Sequence, residues 1–183
     1  LNTMHHGVPQ NRQRWYCVGI RWDILPEPHK RTFQFPEAIP CPEINRFFDL
    51  DSSNVDSKSI PKPDVCATTK LNIGKAKQRI HQIGGNPAGN YIVDCEVSRN
   101  CTPTCLLEVS PCLTRARSSG HWIISKERRL TKAEMLRLQG MNPKLIQKLK
   151  SDRALCQLIG NAMSVNVVER LFYEILNSTR FKP

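Results

Sequence analysis

Five prolines, at positions 26, 28, 36, 40 and 42, fall within the stretch "LPEPHKRTFQFPEAIPCP". Each fixes its own φ, removes a backbone donor and biases the preceding residue away from the helical region. No helix or central strand can run through such a segment. It divides the chain, so that one unit ends near residue 25 and whatever follows must start afresh.

Just before this divide, Trp15 to Ile20 read "WYCVGI", a continuous apolar run between Arg14 and Arg21. Its length and continuity predict a strand buried on both faces, as in an α/β sheet. Gln10, Arg12 and Arg14 alternate at its start. Alternation near a strand's beginning predicts that both arginines face one side. Guanidinium groups are fixed forks suited to phosphate oxygens and to carbonyl acceptors on a base. Two surface arginines at a strand edge would present the same spelling, but the preceding Gly7-Val8-Pro9 makes the context more specific.

From about residue 45 to 109 the texture changes. "DSSNVDSKSIPKPD" is polar, while "TTKLNIGKAKQRIHQIGGNPAGN" is basic and glycine-bearing. "YIVDCEV" and "CLLEV" have the make-up of short strands. The expectation is a small, loop-rich, mostly β lobe with little helical periodicity. Lys70, Lys75, Lys77 and Arg79 could track phosphates there, with Gly84 and Gly85 allowing close backbone approach. A solvated charged face explains the same cations equally well.

After residue 110 helical signals return. In "RRLTKAEMLRLQG", Thr131 and Glu134 have the spacing of a capping box, Leu130 and Met135 that of a hydrophobic staple, and Gly140 is placed to end the helix. A last helix is predicted from about Ala162 to Leu176. Val165, Val168, Phe172 and Ile175 form its apolar stripe, broadened by Val167 and Leu171, which predicts docking on a core. Gly160 and Asn161 immediately precede it, with Asn161 as the expected N-cap. Free N–H groups at such a start suit an anion such as a cofactor carboxylate.

Composition narrows the partners. The formal net charge is +11, which fits a polyanion such as nucleic acid, or simply a basic, soluble surface. A hydrophobic content of 39% supports a packed core. No apolar run approaches the roughly 20 residues that cross a bilayer, so no membrane partner is expected. The eight cysteines are scattered without the density of a disulfide scaffold, which fits a reducing, intracellular setting. Cys95, Cys101, Cys105 and Cys112 lack the paired spacing of a zinc knuckle, so no metal is expected.

Three segments in order, "HGVPQNRQRWYCVGIR", "RRLTKAEMLRLQGM" and "IGNAMSVNVVERL", closely resemble the last three signature segments of the cytosine-C5 DNA methyltransferases. "SPCLTRARSSGHWI" looks like the family's lead-in to the middle one. The resemblance covers roughly half the chain by sequence, and the basic lobe only by position. It implies the C-terminal part of an S-adenosylmethionine-dependent, Rossmann-like α/β methyltransferase domain with an inserted target-recognition domain. Residues 1–25 would hold a late strand of the catalytic domain, 26–109 the recognition domain, and 110–183 the return to the catalytic domain.

The family's roles carry over only onto matching positions. Arg14 matches the arginine that contacts the target cytosine's carbonyl oxygen, and Arg12 the one near the backbone phosphate. Gln10 matches the glutamine that orders the loop. Asn161 and Ala162 match residues lining the S-adenosylmethionine pocket, and Arg128 and Thr131 match the segment that supports the recognition domain. The implied reaction moves a methyl group to C5 of a cytosine flipped out of double-stranded DNA; base flipping by methyltransferases is a known general pattern.

The family's Pro-Cys nucleophile loop, Glu-Asn segment and glycine-bearing cofactor loop precede the first of these segments and are not in this sequence. Pro40-Cys41 and Pro111-Cys112 lie on the wrong side of it to substitute. The chain opens on Leu1, already inside a motif, and so reads as a fragment that is inactive alone and partnered by the N-terminal half of the same enzyme. Two other readings remain: a DNA-binding subunit of a split enzyme or a non-catalytic remnant, and a tRNA-directed member of the family. The expected location is intracellular, nuclear in a eukaryote and otherwise in the cytoplasm or nucleoid.

Overall fold

The computed structural model describes residues 1–25, 33–49, 66–146 and 151–179. The polar stretch at 51–64 and the prolines at 26 and 28 lie outside the described residues. The fold is mixed α/β. Helices α1 (Ala67–Gln82), α2 (Lys132–Arg137), α3 (Asp152–Asn161) and α4 (Val165–Ser178) accompany one small antiparallel sheet. Its strands are β1 (Tyr91–Val93), β2 (Cys105–Leu107), β3 (Trp122–Ile123) and β4 (Arg128–Arg129), in the order β2-β1-β3-β4. Two strands come from each side of residue 109.

The two central strands, β1 and β3, are buried on both faces. Ile92 and Ile123 point into one core with Val8, Ile44, Leu113, Leu130, Met135, Leu138 and Ile159. Tyr91, Val93, Trp122 and Ile124 point the other way, onto Ile73, Ala76 and Ile80 of α1. Period-2 alternation along β1 and β3 thus serves two separate cores.

Helix α1 corrects the expectation of a loop-rich lobe. Its buried residues, Thr69, Asn72, Ile73, Ala76 and Ile80, do follow helical spacing. The spacing is masked because Thr69 and Asn72 are polar. Asn72 is wholly buried, and its amide NH2 donates to Cys95 O at 3.1 Å and Val97 O at 2.9 Å, while its Oδ1 has no partner among the described residues.

The run Trp15–Ile20 also differs from expectation. It pairs with no strand, and Trp15 is fully exposed. A strand exists through its ladder partners, and none of the four described strands runs beside this segment.

Near the C-terminus, α2 is built as its residues predict. The capping box of Thr131 and Glu134 is closed in both directions, and Leu130 and Met135 are buried. The following helix start is not where it was expected. Asn161 is the last residue of α3, with Ala162 as its C-cap, and Ser164 occupies the N-cap position of α4. Gly160 is a glycine because α3 presses on the chain at Thr114 and Arg115, where a Cβ would collide with backbone. Helix α4 docks through Val167 and Leu171, while Val165, Phe172, Tyr173 and Leu176 remain exposed.

Candidate functional site

The first segment enters the site as an extended piece of chain held on both flanks. On one side Thr3 N donates to Arg12 O at 3.0 Å and Arg14 N to Leu1 O at 2.9 Å. On the other, Ser110 N donates to Pro9 O and Asn11 N to Ser110 O, both at 2.8 Å, in a parallel bridge of Gln10 with Ser110. This register brings position 112 beside positions 12 and 14.

Gln10 has no exposed surface. Its amide donates to Leu138 O at 2.5 Å, and its carbonyl accepts from Leu113 N at 3.1 Å. One side chain therefore ties the first segment to the end of α2 and to the return loop. Gln139 makes the corresponding tie to the third segment. It donates to Ile159 O at 2.8 Å, accepts from Ser164 Oγ at 3.2 Å, and its backbone carbonyl accepts from Val165 N at 2.9 Å. Ser164 Oγ lies 2.7 Å from Thr3 Oγ1, which closes the circuit back to the first segment.

The two arginines separate. Arg12 is buried and Arg14 is exposed, so the two differ in burial. Arg12 donates through Nη1 to Leu113 O at 2.6 Å and through Nη2 to Ala162 O at 2.6 Å, with a longer contact to Gly160 O at 3.4 Å. Its Nε is buried with no acceptor among the described residues. Arg14 keeps one amino group on Gln13 O at 2.6 Å. Both guanidiniums nevertheless converge on Cys112 Sγ, Arg12 at 3.3 Å and Arg14 at 3.6 Å. Burial raises the Tyr16 phenol above its usual pKa, opposed by these two nearby positive charges.

Two buried histidines frame the site. His121 is wholly buried, with Nε2 3.3 Å from Cys112 O and Nδ1 3.9 Å from the carboxylate of Asp94. Burial lowers its pKa against the pull of Asp94, which also binds Arg117 at 2.7 Å. His6 takes a hydrogen bond at Nδ1 from Arg170 of α4 at 3.0 Å, and burial followed by the Arg170 charge lowers its pKa.

Arg128 and Thr131 both lead to Glu134, which is wholly buried. Arg128 grips its carboxylate with two bonds of 2.7 and 2.8 Å, and Thr131 N donates to it at 2.8 Å. Thr131 Oγ1 in turn donates to Asp49 at 2.7 Å. Burial works against the Asp49 carboxylate, but Thr131 and Arg137 together hold its pKa below the usual value.

The cations of α1 stand apart from this joint. Lys70 and Arg79 are exposed. Lys75 donates to Arg99 O at 2.6 Å, and Lys77 pairs with Glu127 at 3.0 Å. Among the described residues no group of three or more potential metal ligands comes together, and all eight cysteines are free thiols.

Residue reasoning on the sequence passed over Gln139, Ser164, Thr3 and His121. Ser164 carried a readable signal, a serine directly before an amphipathic helix. Gln139 carried another, lying four residues after buried Met135 on the same helical face. Thr3 and His121 acquire their roles only through contacts across the chain.

A family model for the C-5 cytosine-specific DNA methylases matches residues 1–177. The type II methyltransferase M.HhaI of Haemophilus parahaemolyticus is 26% identical over 186 residues, covering 100% of this chain and 54% of the relative. M.HaeII of Haemophilus aegyptius is 28% identical over 178 residues, covering 97% and 49%. M.MthTI of Methanothermobacter thermautotrophicus is 25% identical over 195 residues, covering 96% and 54%. The chain spans about half the length of the curated relatives it matches.

Proposed function

The chain belongs to the C-5 cytosine-specific DNA methylase family, and from that premise we propose that it supplies the target-facing and cofactor-end portion of a DNA (cytosine-5-)-methyltransferase. The intact enzyme moves a methyl group from S-adenosylmethionine to C5 of a cytosine flipped out of duplex DNA. The observation that carries this reading is the convergence of the three motif segments. Gln10 and Arg12 tie the first segment to chain more than a hundred residues away, and Gln139 and Ser164 tie the second segment to the third.

Within this site Arg14 is the free arm. It is exposed, its fork rests on Gln13 O and Cys112 Sγ at the edge of the joint, and it turns from them to take the carbonyl oxygen of the extruded base. The return from 110 to the end of α4 completes the Rossmann-like domain, and the lobe containing α1 is the recognition domain. Lys70 and Arg79 meet phosphates directly. Lys75 and Lys77 do so only by leaving their present partners, so their contribution is smaller.

S-adenosylmethionine would sit at the corner between α3 and α4. Asn161 and Ala162 line that corner, and the buried, unpartnered Nε of Arg12 belongs to the guanidinium that holds it. When bound, the cofactor supplies the electrophilic methyl group; this chain orients that corner and holds the base. The nucleophilic thiolate comes from the preceding half of the catalytic domain, which is the proposed partner. The unpaired run Trp15–Ile20 and the exposed apolar side of α4, with Met163 and Leu158, suit burial against its strands and helices. The protein then works wherever the cell keeps its DNA; no described helix is long and apolar enough to cross a membrane.

The test is methyl transfer from labelled S-adenosylmethionine to duplex DNA. The chain alone gives no turnover, and adding a polypeptide carrying the preceding half gives 5-methylcytosine. Turnover by the chain alone, or product on tRNA in place of DNA, overturns the assignment.

A further inference from the structure

We propose that Arg12 is a positioning residue, coupling the target-facing segment to the cofactor corner, and that it makes no phosphate contact. This rests on the methyltransferase reading for what the corner holds; the coupling itself rests on geometry alone. The side chain is 3% exposed, which leaves no surface for a phosphate. Its fork spans two elements that are otherwise only pressed together. Nη1 holds Leu113 O in the return loop, and Nη2 holds Ala162 O and Gly160 O at the end of α3.

Helix physics explains why a cation belongs there. The last carbonyls of a helix have no intrahelical donors and carry the negative end of its dipole. Gly160 O and Ala162 O belong to that end of α3, and Arg12 supplies the missing donors with a matching charge. Because Gly160 already touches the chain at Thr114, the guanidinium seals a contact in which neither side can retreat. Arg12 O and N are also fixed, by Thr3 N at 3.0 Å and by Asn2 Oδ1 at 3.0 Å. A shift of the α3–α4 corner is therefore felt two residues from Arg14, and a shift at the base is felt at Ala162. Arg12 links the two substrates' sites without touching either substrate.

Arg12→Lys separates this role from a phosphate contact. Lysine keeps the charge, so it would preserve a point-charge attraction to DNA, but it cannot span both carbonyls. In the enzyme assembled with its other half, the KM for S-adenosylmethionine rises on the order of ten- to a hundredfold while kcat changes little. The salt dependence of duplex DNA binding stays as in the parent even in Arg12→Gln, whereas a lost phosphate contact lowers that slope by about one. In the chain by itself, amide exchange in Arg12→Lys accelerates at Ala162 and Leu113 but not in α1. A reduced salt slope, or an unchanged KM, overturns the proposal. Loss of protection in α1 as well reduces Arg12 to a purely structural residue and also overturns it. If no S-adenosylmethionine is bound by the parent enzyme, the functional reading fails while the exchange arm still decides the coupling.

Discussion

The motif joint and the basic helix use polar side chains in opposite ways. At the joint Gln10, Arg12, Glu134 and Gln139 are nearly or wholly buried, and apart from Arg12 Nε their polar groups bond to other parts of this chain. On α1, Lys70 and Arg79 face solvent, and Lys75 and Lys77 are held by a carbonyl and a single exposed carboxylate. A buried polar group left without a partner costs a sizeable share of a domain's stability, whereas an exposed ion pair contributes little. Polar residues therefore fix geometry at the joint and remain available to a partner on α1.

Substitutions test this contrast, and the largest effects belong to the joint. Gly160→Ala drives a Cβ into the backbone at Thr114 and Arg115, so it is expected to cost about 3 kcal/mol or more. Chemical denaturation would show it as a collapse of the folded baseline. Glu134→Ala removes the buried carboxylate that Arg128 grips and opens the capping box, with an expected loss of about 3–5 kcal/mol by the same measurement. Gln139→Leu removes one tie and leaves Ser164 Oγ and Ile159 O short of a partner, costing about 1–3 kcal/mol.

Much of this was readable because it is local. Thr131 and Glu134 stand three residues apart, and their box closes from that spacing alone. The Gln-x-Arg-x-Arg segment was readable as a feature but not in its geometry. Alternation puts Arg12 and Arg14 on one side, and both reach Cys112 Sγ, but it does not say that one is buried and the other exposed; that follows from the flanking chain at 1–3 and 110–113. Asn161 was misplaced for a related reason. A Gly-Asn pair fits either end of a helix, and only the contact of Gly160 with Thr114 decides that it closes α3. Helix α1 stayed hidden because Asn72 fills a core position with an amide whose acceptors lie on another segment.

Acid gives a smaller effect with a definite sign. Burial holds the pKa values of His6 and His121 below the ordinary 6.5, so folding disfavours their charged forms. The unfolded chain binds their protons first, so stability is full above about pH 6.5 and falls as the pH drops below it. Thermal midpoints measured between pH 7 and 5 should decline, and His121→Asn should flatten part of that decline. A midpoint that rises on acidification contradicts the burial of these groups.

The smallest stability effect is expected on α1. Lys70→Ala and Arg79→Ala should change the unfolding free energy by no more than about 0.5 kcal/mol. Each should lower the salt slope of duplex DNA binding by about one if it meets a phosphate. A large stability loss from either would erase the distinction between the two regions.

The central claim is that this chain builds the joint by itself, before any partner is added. Native-state amide exchange on the isolated chain tests it directly. Asn11, Ser110, Leu113 and Val165 all donate across segments at the joint. Their amides are expected to be as protected as those of Ile92 and Ile123 in the buried sheet and to exchange with them in one cooperative opening. Rapid exchange at those four positions, with the sheet and α1 still protected, would mean that the joint forms only on assembly and would contradict the account.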